Sequence, residues 1–236
     1  MATFVLVHGA WHGGWCWPRV AEPLRGQGHR VFAPTLTGLG ERAHLGRAEV
    51  DLETHIADVI GLVESEELDS IVLCGHSYGG MVVSGVADRI APRVRALMFL
   101  DAFVPEDGQS LLALQPPDRA QRMREAAAKN GGWRVPPFPA SHFGVRDAAD
   151  RAWVDRRCVP QSLKTFDQPA RLTGAWRGIR GLHYVLAAEY TNSSFHRFAD
   201  AARGDPGFRV ATVPCGHEVM IDEPVRLAQL LAEAAG

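Results

Sequence analysis

The sequence predicts an α/β protein built on a mostly parallel sheet flanked by helices, with an inserted, mainly helical cap. Three observations predict it. Short apolar runs alternate with longer amphipathic segments along most of the chain; a glycine-bounded turn at residues 75–79 joins one such run directly to a helix; and a proline- and tryptophan-rich stretch breaks the alternation once. A chain of 236 residues is long enough to bury one substantial core, so one domain is expected over residues 1–236, with the cap at about 105–176.

The elements follow in order. The apolar run from Thr3 to His8 starts with no basic leader and no small-residue cleavage site, which reads as a first strand and not as a signal peptide. Pro18 to Gly26 reads as a helix, with proline near its start and glycine at its end. A second strand is expected near residues 30–34. Asp51 to Glu67 is the next helix, because Leu52, His55, Ile56, Val59, Ile60 and Val63 recur at spacings of three and four. Strands near 70–74, 94–100, 183–188 and 208–213 and helices at 78–90, 194–202 and 224–235 complete the alternation. In the interrupting stretch, Pro116, Pro117, Pro136, Pro137, Pro139 and Pro160 occur with Trp133, Trp153 and Trp176. There Glu125 to Lys129 is expected to be helical and Asn130-Gly131-Gly132 to end that helix. The aromatic residues of the cap are read either as its own packing or as the wall of an apolar pocket.

With 46% hydrophobic and 22% charged residues and a formal charge of −2, the chain has no signature of disorder, of a membrane span or of a polyanion-binding surface. No nucleic-acid or membrane partner is therefore expected; the oligomeric state is left open, a homodimer included. Cys16, Cys74, Cys158 and Cys215 are scattered and read as reduced thiols of a cytoplasmic protein. There is no HExxH, no Walker sequence and no compact Cys/His cluster, so neither a metal nor an organic cofactor is expected. Gly38-Leu39-Gly40-Glu41-Arg42-Ala43 follows the second strand instead of the first and has alanine for the third glycine, which argues against a dinucleotide loop.

The chemistry is concentrated elsewhere. Ile71 to Cys74 is an apolar strand, Gly75-His76-Ser77-Tyr78-Gly79 is a tight turn, and Met81 onward is a helix. A strand, sharp turn and helix in that order hold a serine in a strained conformation with its hydroxyl exposed. A serine hydroxyl needs a base and oxyanion donors to act at neutral pH. The base is assigned to His217, in the loop Pro214-Cys215-Gly216-His217-Glu218 after the last strand. Tyr78 N–H, at the start of the helix, is one expected oxyanion donor. Ala10 N–H, in the glycine-rich loop His8-Gly9-Ala10-Trp11-His12-Gly13-Gly14, is the other. Two carboxylates compete to orient the base: Glu189, just past the strand that ends at Ala188, and Asp101, at the end of the strand Ala96 to Leu100. Glu189 is favoured.

These residues together resemble the hydroxynitrile lyase and methylesterase branch of the α/β-hydrolase superfamily, over nearly the whole chain. The segments Pro34 to Arg42 and Leu100 to Gly108 are most similar to those of bacterial carboxylesterases, pyrethroid-hydrolysing ones included. The resemblance implies the α/β-hydrolase fold and hydrolysis of small to medium apolar carboxylic esters through an acyl-enzyme. Plant members carry an aspartate at the position of Glu189, and this departure keeps Asp101 in contention. Lyase members carry a lysine directly after the histidine; Glu218 stands there and argues against cyanohydrin cleavage. Two other readings share the fold: lactone opening, carbon–carbon cleavage, a lyase step or cyclisation by the same triad, and non-catalytic ligand binding.

Overall fold

The computed structural model describes residues 1–191 and 193–236. In chain order the elements are β1 (Thr3–Val7), α1 (Pro18–Gly26), β2 (Arg30–Phe32), α2 (Leu52–Ser65), β3 (Ile71–His76), α3 (Gly79–Arg89), β4 (Val94–Leu100), α4 (Pro117–Lys129), β5 (Arg134–Val135), α5 (Ala148–Arg157), β6 (Gln161–Ser162), α6 (Leu163–Asp167), β7 (Gly181–Ala187), α7 (Ser193–Gly204), β8 (Phe208–Val213), α8 (Val219–Asp222) and α9 (Pro224–Ala235). Six strands form one sheet in the order β2-β1-β3-β4-β7-β8, and every pairing in it is parallel.

Local chemistry accounts for the element ends. Pro18 takes the first turn of α1, where its missing N–H costs nothing. Asp51 caps α2 by accepting from Thr54 N at 2.9 Å. The second apolar run is a shorter strand than expected, because Pro34 follows and cannot donate to the ladder. Between β4 and β7, α4 begins at Pro117, well before the alanine-rich stretch that predicts it, and β5 and β6 pair antiparallel.

Strand β3 lies at the centre of the sheet and is buried along its whole length, with Leu6, Leu73, Leu97 and Phe99 among the core residues around it. The chain leaves β1 for β2 on one side and returns to β3 on the other. The strand order therefore reverses beside β1, and the ends of β1 and β3 open on the crevice where such sheets bind ligands. Among the described residues no helix is long and apolar enough to cross a membrane.

Gly75 is required by close approach: a Cβ there meets Gly79 O at 2.5 Å and Val83 Cγ2 at 2.6 Å. Gly75→Ala is therefore expected to cost about 1–3 kcal/mol by forcing α3 away from β3, seen as a melting temperature lower by roughly 2–10 °C.

Candidate active site

The turn after β3 places Ser77 at φ 54, a left-handed conformation unfavourable for a side-chain-bearing residue. The surroundings hold it there: Ser77 N–H donates to Leu100 O at 3.1 Å, and its carbonyl accepts from Gly80 N at 3.0 Å and Phe103 N at 3.2 Å. The half-buried serine faces a cavity that His217 also lines.

His217 is 3% exposed, with Tyr190 and Phe195 stacked on its ring at centroid distances of 4.8 and 4.9 Å. Its backbone is tied at both ends of the residue. The N–H donates to Phe143 O at 2.8 Å, and the carbonyl accepts from His76 Nε2–H at 3.0 Å. His76, adjacent to Ser77, thus ties down the His217 backbone; burial holds its imidazole well below the ordinary range and so neutral.

His217 Nδ1–H donates to Asp101 Oδ2 at 2.6 Å, and Ala187 N–H donates to Asp101 Oδ1 at 3.1 Å. Asp101 is fully buried and itself sits at φ 42, while its N–H donates to Val185 O at 2.7 Å. Tyr184 Oη braces the next residue, donating to Ala102 O at 2.9 Å and accepting from Ala102 N at 3.2 Å. Burial pushes the carboxyl up, against the Ala187 N–H that favours its ionised form, and pulls the imidazole down. The short contact keeps one proton on Nδ1 between them and leaves Nε2 with the lone pair that a base needs.

The geometry corrects the assignment of Glu189. Its side chain is 54% exposed and pairs with Arg146 at 3.0 Å, on the outer side of the turn that follows β7. The turn is fixed by Glu189 N–H donating to Cys215 O at 3.0 Å, which leaves the side chain directed outward, away from the enclosed histidine. The carboxylate that reaches His217 is the short one at the end of β4.

Ala10 and Tyr78, the two expected oxyanion donors, both line the cavity with Ser77, and neither N–H donates to another residue among those described. Two histidines, not singled out from sequence, aim them. Leu36 N–H donates to His8 Nε2 at 3.1 Å, which puts the His8 proton on Nδ1, and Nδ1–H donates to Gly9 O at 2.8 Å. That bond holds the carbonyl of the Gly9–Ala10 peptide and so turns the Ala10 N–H the opposite way. Burial lowers His8 to about 3, so it stays neutral. On the other side, Tyr78 O–H donates to His55 Nδ1 at 2.8 Å, while His55 Nε2–H donates to Thr37 O at 2.9 Å.

The rest of the cavity is largely aromatic. Phe138, Phe143 and Phe166 come from the segment between β4 and β7, together with Gln115, Arg119 and Met123. The tryptophans of that segment do not line it: Trp176 packs on Phe99 and Phe208, and Trp153 on Trp15. The cavity measures about 30 Å³, room for a water molecule or two. A larger surface cleft of about 490 Å³, beside Leu114, Arg197 and Phe208, is lined by neither Ser77 nor His217.

A parallel sheet with a strained serine after β3, a buried histidine after β8 and a carboxylate on that histidine defines an α/β hydrolase. The chain belongs to the Alpha/beta hydrolase family, whose profile matches residues 4–230. It is 51% identical over 242 residues to a carbendazim hydrolyzing esterase of Nocardioides sp. (strain SG-4G), covering 98% of this chain and 99% of that one. It is 35% identical over 256 residues to esterase PIR7B of Oryza sativa subsp. japonica, covering 98% and 95%. Among solved structures, an extracellular alpha/beta-hydrolase from a Paenibacillus species superposes with a TM-score of 0.88 at 25% identity, covering 99% of both chains.

Proposed function

We infer that the protein is a serine carboxylesterase that hydrolyses small to medium apolar carboxylic esters through an acyl-enzyme. The observation that carries this reading is the convergence of Ser77, the Asp101-held His217 and two unengaged N–H groups on one aromatic-lined cavity. Ser77 Oγ attacks the ester carbonyl as His217 Nε2 takes its proton. The carbonyl oxygen, now anionic, accepts from Ala10 and Tyr78 N–H, and His217 returns the proton to the departing alcohol. Water, deprotonated by the same imidazole, then releases the acid.

Residues 105–176 are read as the cap of a single unit spanning residues 1–236. Phe138, Phe143 and Phe166 suit an aromatic or branched apolar portion of the substrate. Carbendazim, named for the Nocardioides relative, belongs in the first substrate panel. The four cysteines are free thiols, which supports a reducing compartment such as the cytoplasm.

The test is hydrolysis of a panel of esters graded by chain length and by aromatic content, carbendazim included; absence of turnover on every member rejects the reading. Within the panel, Phe138→Ala is expected to raise KM for aryl esters roughly fivefold to tenfold, because it removes about 1 kcal/mol of aromatic contact, and to leave acetate esters of small alcohols within twofold.

A further inference from the structure

The loop that carries Ala10 and the loop that carries His217 leave the sheet from different strands, β1 and β8, yet the oxyanion donor and the base must be registered against one carbonyl. A buried ion pair joins them. His12, two residues after Ala10, and Glu218, directly after His217, are each 1% exposed and lie 3.4 Å apart, Nε2 to Oε1.

Both nitrogens of the His12 ring have an acceptor. Nδ1–H donates to Ala10 O at 2.7 Å, and Nε2 faces the Glu218 carboxylate. A neutral imidazole carries one N–H, so opposite an ionised Glu218 the imidazolium is the form that serves both positions. Burial pushes the His12 imidazole down, and the Glu218 carboxylate beside it outweighs burial, raising His12 to about 10. Trp15 stacks on the ring at 5.0 Å and fixes its plane. Neither buried oxygen of Glu218 has a hydrogen-bond partner among the described residues, so its contact with His12 is one of charge proximity at 3.4 Å and not a formed hydrogen bond. Burial raises the Glu218 carboxyl above its ordinary range, His12 opposes that rise, and Asp222 and Asp101 add to it; His8, His76 and His217 are the titratable groups that face His12.

Such a pair is an expensive way to stabilise a fold, because burying two charges costs about what their attraction returns. It is an effective way to fix one loop against another. On the second side of the same loop, Trp11 N–H donates to Gln161 Oε1 at 2.8 Å, so the Ala10–Trp11 peptide is held at its carbonyl by His12 and at its N–H by the cap.

We propose that the His12–Glu218 pair is a positioning device that locks the oxyanion loop to the base loop, setting Ala10 N–H at the distance from His217 that the tetrahedral intermediate requires. The inference rests on the esterase reading. It also gives Glu218 a role: the carboxylate after the base does not line the substrate cavity but braces the loop opposite.

The experiment compares His12→Phe/Glu218→Leu, Glu218→Leu and Glu218→Gln with the unmodified protein in kcat, KM and melting temperature on one activated ester. The apolar double variant leaves no buried charge unpaired, so its melting temperature is expected to stay close to that of the unmodified protein. Its kcat is expected to fall on the order of 10- to 100-fold, with KM within about threefold, because a misplaced oxyanion donor is felt in the transition state. Glu218→Gln, whose amide NH2 offers a donor to Nε2 of the neutral ring while Nδ1–H stays on Ala10 O, is expected to recover most of that loss relative to Glu218→Leu. A folded double variant with unchanged kcat, or Gln and Leu variants equally slow, overturns the proposal. If the double variant does not fold, the Leu and Gln comparison well below their melting temperatures decides it. Failure of the unmodified protein to turn over any ester is a different result, which removes the esterase reading itself.

Discussion

Ser77→Ala is expected to lower kcat by about a millionfold, the size of effect seen when a triad nucleophile alone is removed, while KM and melting temperature change little. The reason is local. Ser77 contributes its structural hydrogen bonds through backbone atoms, to Leu100 O and from Gly80 N and Phe103 N, and alanine keeps all three. The variant loses only the oxygen that attacks. Hydrolysis of an activated ester, with circular dichroism and thermal melting as controls, measures this; a loss below tenfold assigns the attack to another group.

Asp101→Asn is expected to cost about 10⁴ in kcat, and the hydrogen bonds explain why an isosteric change does so much. Ala187 N–H donates to Oδ1 and requires an acceptor there, so the asparagine amide must direct its oxygen to Ala187 and its NH2 to His217. An NH2 facing Nδ1 drives the imidazole proton to Nε2, where it faces Ser77 and the base is lost. Glu189→Gln breaks only an exposed ion pair with Arg146 and is expected to leave kcat within about twofold and stability within about 1 kcal/mol. Steady-state kinetics of the two variants side by side provide the check. The reverse order of effects restores Glu189 as the acid.

That comparison also marks what the sequence could carry. Ser77 was legible because its requirements are local: an apolar strand, two glycines where a side chain collides, and a helix, all within a dozen residues. His217 was legible from its place after the last strand. The acid depends instead on a contact across 116 positions, and on which strand end faces the enclosed side of the histidine. Asp101 does have a local signal, a small carboxylate immediately after the strand beside the nucleophile's own, whereas Glu189 sits past a turn whose outward direction no periodicity reveals.

The supporting histidines follow the same rule. His8 accepts from Leu36 N–H 28 positions on, His55 donates to Thr37 O 18 positions back, and His12 faces Glu218 at the far end of the chain, so what each ring does is set by a distant partner. Between β4 and β7, aromatic composition left both packing and a pocket wall open and did not say which rings do which. Phe138, Phe143 and Phe166 line the cavity, while the more conspicuous tryptophans went to packing. Pro117 at the first turn of α4 was a readable start signal for a helix that alanine content alone placed too late.

Ser77 as the nucleophile of an esterase is tested by stoichiometric reaction of the protein with an organophosphonate, followed by peptide mapping and parallel assay of ester turnover. One adduct on the peptide containing Ser77, formed in step with loss of turnover and absent from Ser77→Ala, is the predicted result. Turnover that persists in fully labelled protein, or an adduct on another residue that accompanies its loss, contradicts the account.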